Sequence, residues 1–210
     1  DQQRGANPWH GTGGPLPVTD LPEKHPIAEA FIAAGVKAGI PYNADFNGER
    51  QEGVGPFQAT AKRGLRYSTA KAFLRRALKR PNLDLLTGAQ VTKILFDGVR
   101  ASGVAFVHDG KPAEVSVRRE IILSAGAIQS PHILQLSGIG DPDRLAGVGI
   151  RPRHALSGVG ENFQDHPLVL GVNFRARDGL GPVIGNGGGT MLNWRSSYAE
   201  RGPDLHTVIA

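Results

Sequence analysis

Residues 120–140 read EIILSAGAIQSPHILQLSGIG, and the order of residue types predicts a strand, a tight bend and a helix. Glu120 to Ser124 is a short apolar strand pattern that runs straight into Ala125-Gly126-Ala127. Only small side chains there leave the backbone open to close approach by another surface. A helix is expected from Ser130 to Ser137, with Pro131 in its first turn. Its amino end carries free N–H groups and the positive end of the helix dipole, which suits an anionic or hydrogen-bonding ligand. Ser137-Gly138-Ile139-Gly140 then closes it with glycines able to turn left-handed. On these grounds alone, an ordinary glycine-closed helix is as well supported as a turn approached by a ligand.

Upstream of this stretch the pattern has period two. Leu83–Leu86, Val91–Phe96, Ala101–His108 and Glu114–Val117 read as strands, with Asp97-Gly98 and Asp109-Gly110 as hairpin turns. Further back, a helix starts near Pro26 and ends at Gly39 and Pro41; Asn43–Gly55 reads as polar loop. Ser68 or Thr69 caps a second helix that runs to about Arg80 and is closed by Pro81-Asn82. Residues 1–24 are rich in Gly and Pro around a short strand-like Leu16–Thr19. Downstream come an Asp-capped helix (Asp141–Ala146), a strand-like Leu168–Arg175, a glycine-rich loop (Gly179–Gly189) and an apolar run from Leu205. This mixed order predicts an α/β (α+β mixed) assembly with antiparallel hairpins.

Composition narrows the function. The chain has 210 residues, 40% of them hydrophobic and 20% charged, which is the profile of a globular protein with a sizeable core. No apolar run approaches the roughly 18–20 residues of a transmembrane helix. There is no cysteine, so disulfides, thiolate metal sites and a cysteine nucleophile are excluded. That is compatible with a reducing cytoplasm, the expected location. The net charge of +5 invites a nucleic-acid reading, but the basic residues are scattered. The densest group, Arg75, Arg76, Lys79 and Arg80, sits at helical spacing opposite Phe73, Leu74, Ala77 and Leu78. A solvated helix face accounts for it, and no nucleic-acid partner is expected. A hydrolase or transferase built on a nucleophile elbow is disfavoured because G-x-S-x-G does not occur. His10, His25, His108, His132, His154 and His206 occur singly, without ligand spacing or an evident acid partner, and read as structural or surface residues; no metal site is expected. Both termini read as cut points, so an internal piece of a longer chain is expected.

The spacing Gly-Ala, two residues, Ser-Pro, one residue, Ile-Leu, two residues, Ser-Gly-Ile-Gly within Gly126–Gly140 resembles a signature of the glucose–methanol–choline (GMC) oxidoreductases. Four further stretches follow in that family's order: HGTGGPLPV (His10–Val18), DFNG with the later EGVGPFQ (Asp45–Gln58), GLRYSTAKAFL (Gly64–Leu74) and GVGENFQDHP (Gly158–Pro167). Their wording is most similar to the choline-dehydrogenase-like branch.

The resemblance implies a Rossmann-type domain that binds FAD, covered by a substrate domain, and oxidation of an alcohol by hydride transfer to flavin N5. It implies that Val91 meets the adenine through its main chain and that Ser124, Ala125 and Gly126 pass beside the adenosine part. It also puts Asn162, Asp165 and His166 where the chain crosses between domains, near the cofactor. A loop-stabilising role is expected for Asp165 and His166. No catalytic residue is expected in this chain, because the family's catalytic histidine would lie beyond residue 210. By the same resemblance, residues 52–140 belong to the FAD-binding domain, 141–165 connect, and 1–51 with 166–210 belong to the substrate domain. No G-x-G-x-x-G opens a strand–helix unit in the sequence. The substrate expected is choline or another small alcohol, and the electron acceptor, oxygen or a quinone, stays open. The competing reading is a non-catalytic basic binding module derived from the family.

Overall fold

The computed structural model describes residues 1–22, 24–169, 173, 175, 177–179, 181–182 and 188–209. They form two compact units, Asp1–Asp84 with Asn173–Ala210, and Leu85–Val172.

The first unit is organised by helix α1, Pro26–Lys37. The ring of His25 accepts the Ile27 N–H through Nδ1 at 3.2 Å, proline takes the first helical position, and Gly39 at φ +90° ends the helix. Ala28 and Gly35 form its buried face. A Cβ on Gly35 would lie 2.9 Å from Val54 Cγ1, so this glycine lets the helix press onto the strand beneath. That strand, β1 (Gly53–Pro56), is buried along its length, where polar loop was expected. The strand signal is missing because two of its four residues are glycines. A Cβ on Gly53 would come within 2.6 Å of the Pro41 carbonyl oxygen, and one on Gly55 within 1.8 Å of that of Asn43. Close backbone approach therefore sets the composition here, and β-propensity does not.

Two short strands follow, β2 (Ala61–Lys62) and β3 (Leu65–Arg66), joined through Arg63 and Gly64, both at positive φ. In place of one helix to Arg80 there is a π-helical turn at Ala70–Leu74 and a short helix α2, Arg75–Ala77. Ser68 Oγ accepts from the Lys71 N–H at 3.4 Å, and Thr69 makes no cap bond. The expected strand at Leu83–Leu86 is absent: these residues pair with no ladder among the described residues, and Leu85 and Leu86 are exposed.

The second unit begins with an antiparallel meander of β4 (Gln90–Asp97), β5 (Arg100–His108) and β6 (Lys111–Ser116), in that spatial order. The first turn centres on Gly98-Val99 and the second on Asp109-Gly110, whose φ values of +50° and +73° match a two-residue hairpin. The EIILS segment forms no ladder among the described residues, and Ile122 is 80% exposed. A strand needs a neighbour as well as a β-prone sequence. Helix α3 spans Gly126–Leu136, four residues longer at its start than expected, so Pro131 lies inside it. It packs against β4. The core there comprises Ile94, Ala105 and Ile133.

Gly138, at φ +85°, turns the chain out of α3 into β7 (Ile139–Gly140), which pairs in parallel with β8 (His154–Ala155). Helix α4 (Pro142–Gly147) lies between them, capped by Asp141, whose carboxylate accepts from the Asp143 and Arg144 N–H groups.

In the first unit, β9 (Thr190–Trp194) lies between β1 and β10 (Leu205–Val208), antiparallel to both. The expected strand at Leu168–Arg175 and loop at Gly179–Gly189 fall partly outside the described residues. The mixed architecture with antiparallel hairpins is the one expected. By packing, residues 53–84 stay with 1–52, and 141–172 stay with 85–140.

Candidate functional site: an open backbone cleft at the start of helix α3

The bend before α3 is open. Ser124, Ala125, Gly126 and Ala127 are all exposed. Gly126 holds φ +86° and a Cβ there would meet nothing within 4 Å, so its bareness serves the backbone conformation and the approach from outside. Ala125 gives α3 no side-chain cap, and the Ser130 hydroxyl folds back to accept the Ala125 N–H at 3.1 Å. The first N–H groups of the helix are left for another partner.

The opposite wall comes from the segment after β8. Gly160, at φ +83°, lets the chain lie on Gln135: a Cβ there would be 2.6 Å from Gln135 Nε2, which donates to the Val159 carbonyl at 3.1 Å. Glu161 pairs with Arg144 of α4. Asn162, exposed and at φ +54°, then redirects the chain. Phe163, Gln164 and Asp165 face Ala125, Gly126, Ala127, Ile128 and Gln129 across a cleft of about 410 Å3. Phe163 is 61% exposed, which puts an aromatic surface on this cleft.

Asp165 is the one ionisable group lining it among the described residues. Its carboxylate accepts from the His166 N–H at 2.7 Å and lies 3.2 Å from His166 Nδ1. These bonds, the backbone one first, hold its pKa below the usual carboxylate range, so it is an anion at neutral pH.

Of the residues singled out from sequence, the cleft brings together Ala125, Gly126 and Asp165. Ser124 precedes it, and Asn162 and His166 flank its far wall. Val91 lies elsewhere in the unit, half-buried on β4 opposite Phe106. Sequence reading did not single out Ile128, Gln129, Phe163 or Gln164. The available signal was Phe163, an apolar residue inside a polar run.

The cleft offers backbone donors, an aromatic face and one anion, which is the equipment for binding. Nothing in it resembles a nucleophile paired with a base.

In the first unit a second cavity, about 140 Å3, is lined by Ala44–Asn47, Pro56–Gln58 and Met191. Asp45 in its wall meets His10 Nε2 at 2.7 Å. The view of His10 as lacking an acid partner is thereby corrected: the partner lies 35 residues away in sequence, beyond the reach of spacing arguments. His25 is likewise built into the core as the α1 cap, only 5% exposed, and its Nε2 meets no partner among the described residues. Among the described residues no His, Cys, Asp and Glu side chains gather in a metal-holding group.

Comparison with known proteins bears on this arrangement. A family model described as GMC oxidoreductase matches residues 4–168. The chain is 48% identical over 160 residues to an oxygen-dependent choline dehydrogenase of Staphylococcus xylosus, covering 76% of this chain and 28% of that protein. It is 44% identical over 177 residues to an alcohol dehydrogenase [acceptor] of Pseudomonas putida, covering 82% and 32%. Among solved structures, pyridoxine 4-oxidase from Mesorbium loti superposes with a TM-score of 0.70 at 35% identity, over 74% of this chain and 31% of that one. An FAD-dependent oxidoreductase from Chaetomium thermophilum does so at 0.71 and 32%, over 74% and 28%. The chain thus spans about a third or less of the proteins it resembles. Because the matched region takes in the bend, helix α3 and the segment forming the far wall, the cleft lies within a segment that defines a known lineage, and this chain belongs to the GMC oxidoreductases.

Proposed function

We propose that this chain is part of an FAD-dependent oxidoreductase that acts on CH–OH donors, and that the cleft at α3 receives the adenosine portion of FAD. The observation that carries the reading is the exposed Ser124–Ala127 bend, with uncapped N–H groups of α3 facing Phe163–Asp165 across about 410 Å3. A nucleotide needs flat apolar contact, backbone hydrogen bonds and no obstructing side chains, and the cleft has all three. Gly126 and Ala127 leave room for the sugar, and Phe163 supplies apolar surface. Asp165, held ionised by His166, accepts hydrogen bonds from hydroxyl groups. Val91 does not line the cleft, and its proposed main-chain contact with the adenine rests on the family resemblance alone. Asn162 fixes the turn that brings the far wall across.

When bound, FAD accepts a hydride from the alcohol carbon. This chain binds and orients, and the base that takes the hydroxyl proton belongs to another part of the protein. We assign residues 52–140 to the FAD-binding domain, 141–165 to the connection, and 1–51 and 166–210 to the substrate domain. The exposed Ile122 is an apolar surface we expect other parts of that FAD domain to cover. The substrate is a small alcohol, with choline first among those to test, and the cysteine-free composition fits a cytoplasmic protein.

The test is to purify the full-length protein, record its flavin absorbance, and add choline, aliphatic and benzylic alcohols without oxygen. Bleaching by one of them and formation of the matching aldehyde is the expected result. Peroxide release or dye reduction then separates oxygen from a quinone-type acceptor. A protein that stays colourless after incubation with FAD ends the proposal.

A further inference from the structure

The far wall of the cleft has few attachments. Residues 156–165 belong to no helix or strand. The Leu156 N–H donates to the Gly140 carbonyl at 2.9 Å, and the chain then turns on two local bonds, from the Val159 N–H to the Leu156 carbonyl and from the Glu161 N–H to that of Gly158. Two side chains tie this turn to the helices. Arg144 of α4 pairs with Glu161, but the arginine is 70% exposed, where an ion pair holds weakly. Gln135 of α3 is half-buried, and its Nε2 donates to the Val159 carbonyl at 3.1 Å. Among the described residues this is the only side-chain hydrogen bond between α3 and residues 156–165.

Two glycines make room for that side chain. A Cβ on Gly140 would lie 3.5 Å from Gln135 Cγ, an ordinary contact. One on Gly160 would lie 2.6 Å from Nε2, so a side chain there would push the amide off the Val159 carbonyl. Gln135 does not line the cleft. It sits in the last turn of α3, about 13 Å along the axis from Gly126 in the first turn. One rigid helix thereby carries both the near wall and the strut that sets the distance to the far wall.

We infer that Gln135 is a positioning residue for nucleotide binding, which holds Phe163–Asp165 at the distance from Ala125–Gln129 that an adenosine group fills. The inference rests on the adenosine reading of the cleft and adds the residue that sets its gap. Without the strut, the far wall has to be ordered as FAD binds, and that cost appears as lost affinity.

The experiment uses the full-length protein. Gln135→Met keeps the length of the side chain and Gln135→Glu keeps its shape, and at neutral pH neither can donate to Val159. Titration of the apoprotein with FAD, followed by quenching of flavin fluorescence, should give a Kd raised roughly 5- to 10-fold in both variants, the equivalent of one hydrogen bond. FMN, which lacks the adenosine, should not distinguish the variants from wild type. Ser137→Ala loosens the same end of α3, but Ser137 bonds only to Ile94 and Ile133 through its hydroxyl, so this variant should bind FAD as wild type does. An unchanged FAD Kd in the Gln135 variants, an equal loss of FMN affinity, or the same weakening in Ser137→Ala would each overturn the inference and leave the flavin reading in place. A wild-type apoprotein that binds no FAD would overturn both.

Discussion

The hydroxyl of Ser137 accepts the buried N–H of Ile94 at 2.8 Å while donating to the Ile133 carbonyl at 2.6 Å. One side chain at the end of α3 thereby satisfies an amide of β4 and fixes the helix to the sheet. Ser137→Ala strands that amide, and the expected loss is about 1–3 kcal/mol of stability by urea unfolding. A midpoint that does not move would show that another group takes over the Ile94 N–H.

Gly55 of β1 and the turn glycine Gly64 give a contrast. Gly55→Ala drives a Cβ against the Asn43 carbonyl, and should cost at least about 3 kcal/mol or prevent folding. Gly64→Ala meets no atom within 4 Å but must hold φ +73°, so about 1 kcal/mol is expected. Equal effects at the two positions would show that β1 does not approach Asn43 closely.

The cleft residues allow binding to be separated from folding. Asp165 and His166 are exposed, with side chains 80% and 91% accessible, so Asp165→Asn and His166→Ala should change stability by less than about 0.5 kcal/mol. In the full-length protein the expected change is lower flavin occupancy on purification. Wild-type flavin content in both variants would place the nucleotide elsewhere.

Acid sensitivity should have a contribution from Asp20. Hydrogen bonding from Arg4 is the largest influence on its carboxyl; burial opposes it, and the Gln58 hydrogen bond with the Arg4 and Lys24 charges leaves the carboxyl below the usual carboxylate range. A carboxyl depressed in the folded state adds stability above its unfolded pKa, near 3.9, and loses that contribution as pH falls through the folded value. Asp20→Asn should therefore destabilise at pH 7, lose that effect as pH falls through the folded carboxyl's own range, and flatten the acid limb of the stability profile. The effect is small because both partners are more than a third exposed. Identical acid limbs in the two proteins would remove Asp20 from the account.

Much of this structure is legible in the sequence where a local rule decides it. Proline and the caps set α1 and α4, period-two patterning and Asp109-Gly110 set the meander, and small residues leave the Ser124–Ala127 bend open. Reading fails where a distant partner decides. β1 is a strand because β9 and the Asn43 turn lie against its glycines. EIILS has the composition of a strand but no neighbour among the described residues. Pro131 sits inside α3, a helix long enough to absorb one missing N–H. His10 and Asp45 meet through the fold alone. The cleft was half legible: its bare wall follows from glycine and alanine, while its aromatic wall depends on how the Gly160 and Asn162 turns swing the later chain across.

The pairing of β1 with β9 also governs the order of synthesis. Thr190 Oγ1 donates to the Gly55 carbonyl at 2.7 Å, across 135 positions. At typical translation rates the ribosome needs roughly 7–27 s to deliver that second partner. Leu85–Val172 is contiguous and can collapse as it emerges, while β1, already packed under α1, waits on the nascent chain with the edge that β9 will take unpaired. A chaperone that shields unpaired strand edges would find its target there, and a ribosome stalled before residue 190 would leave that edge open.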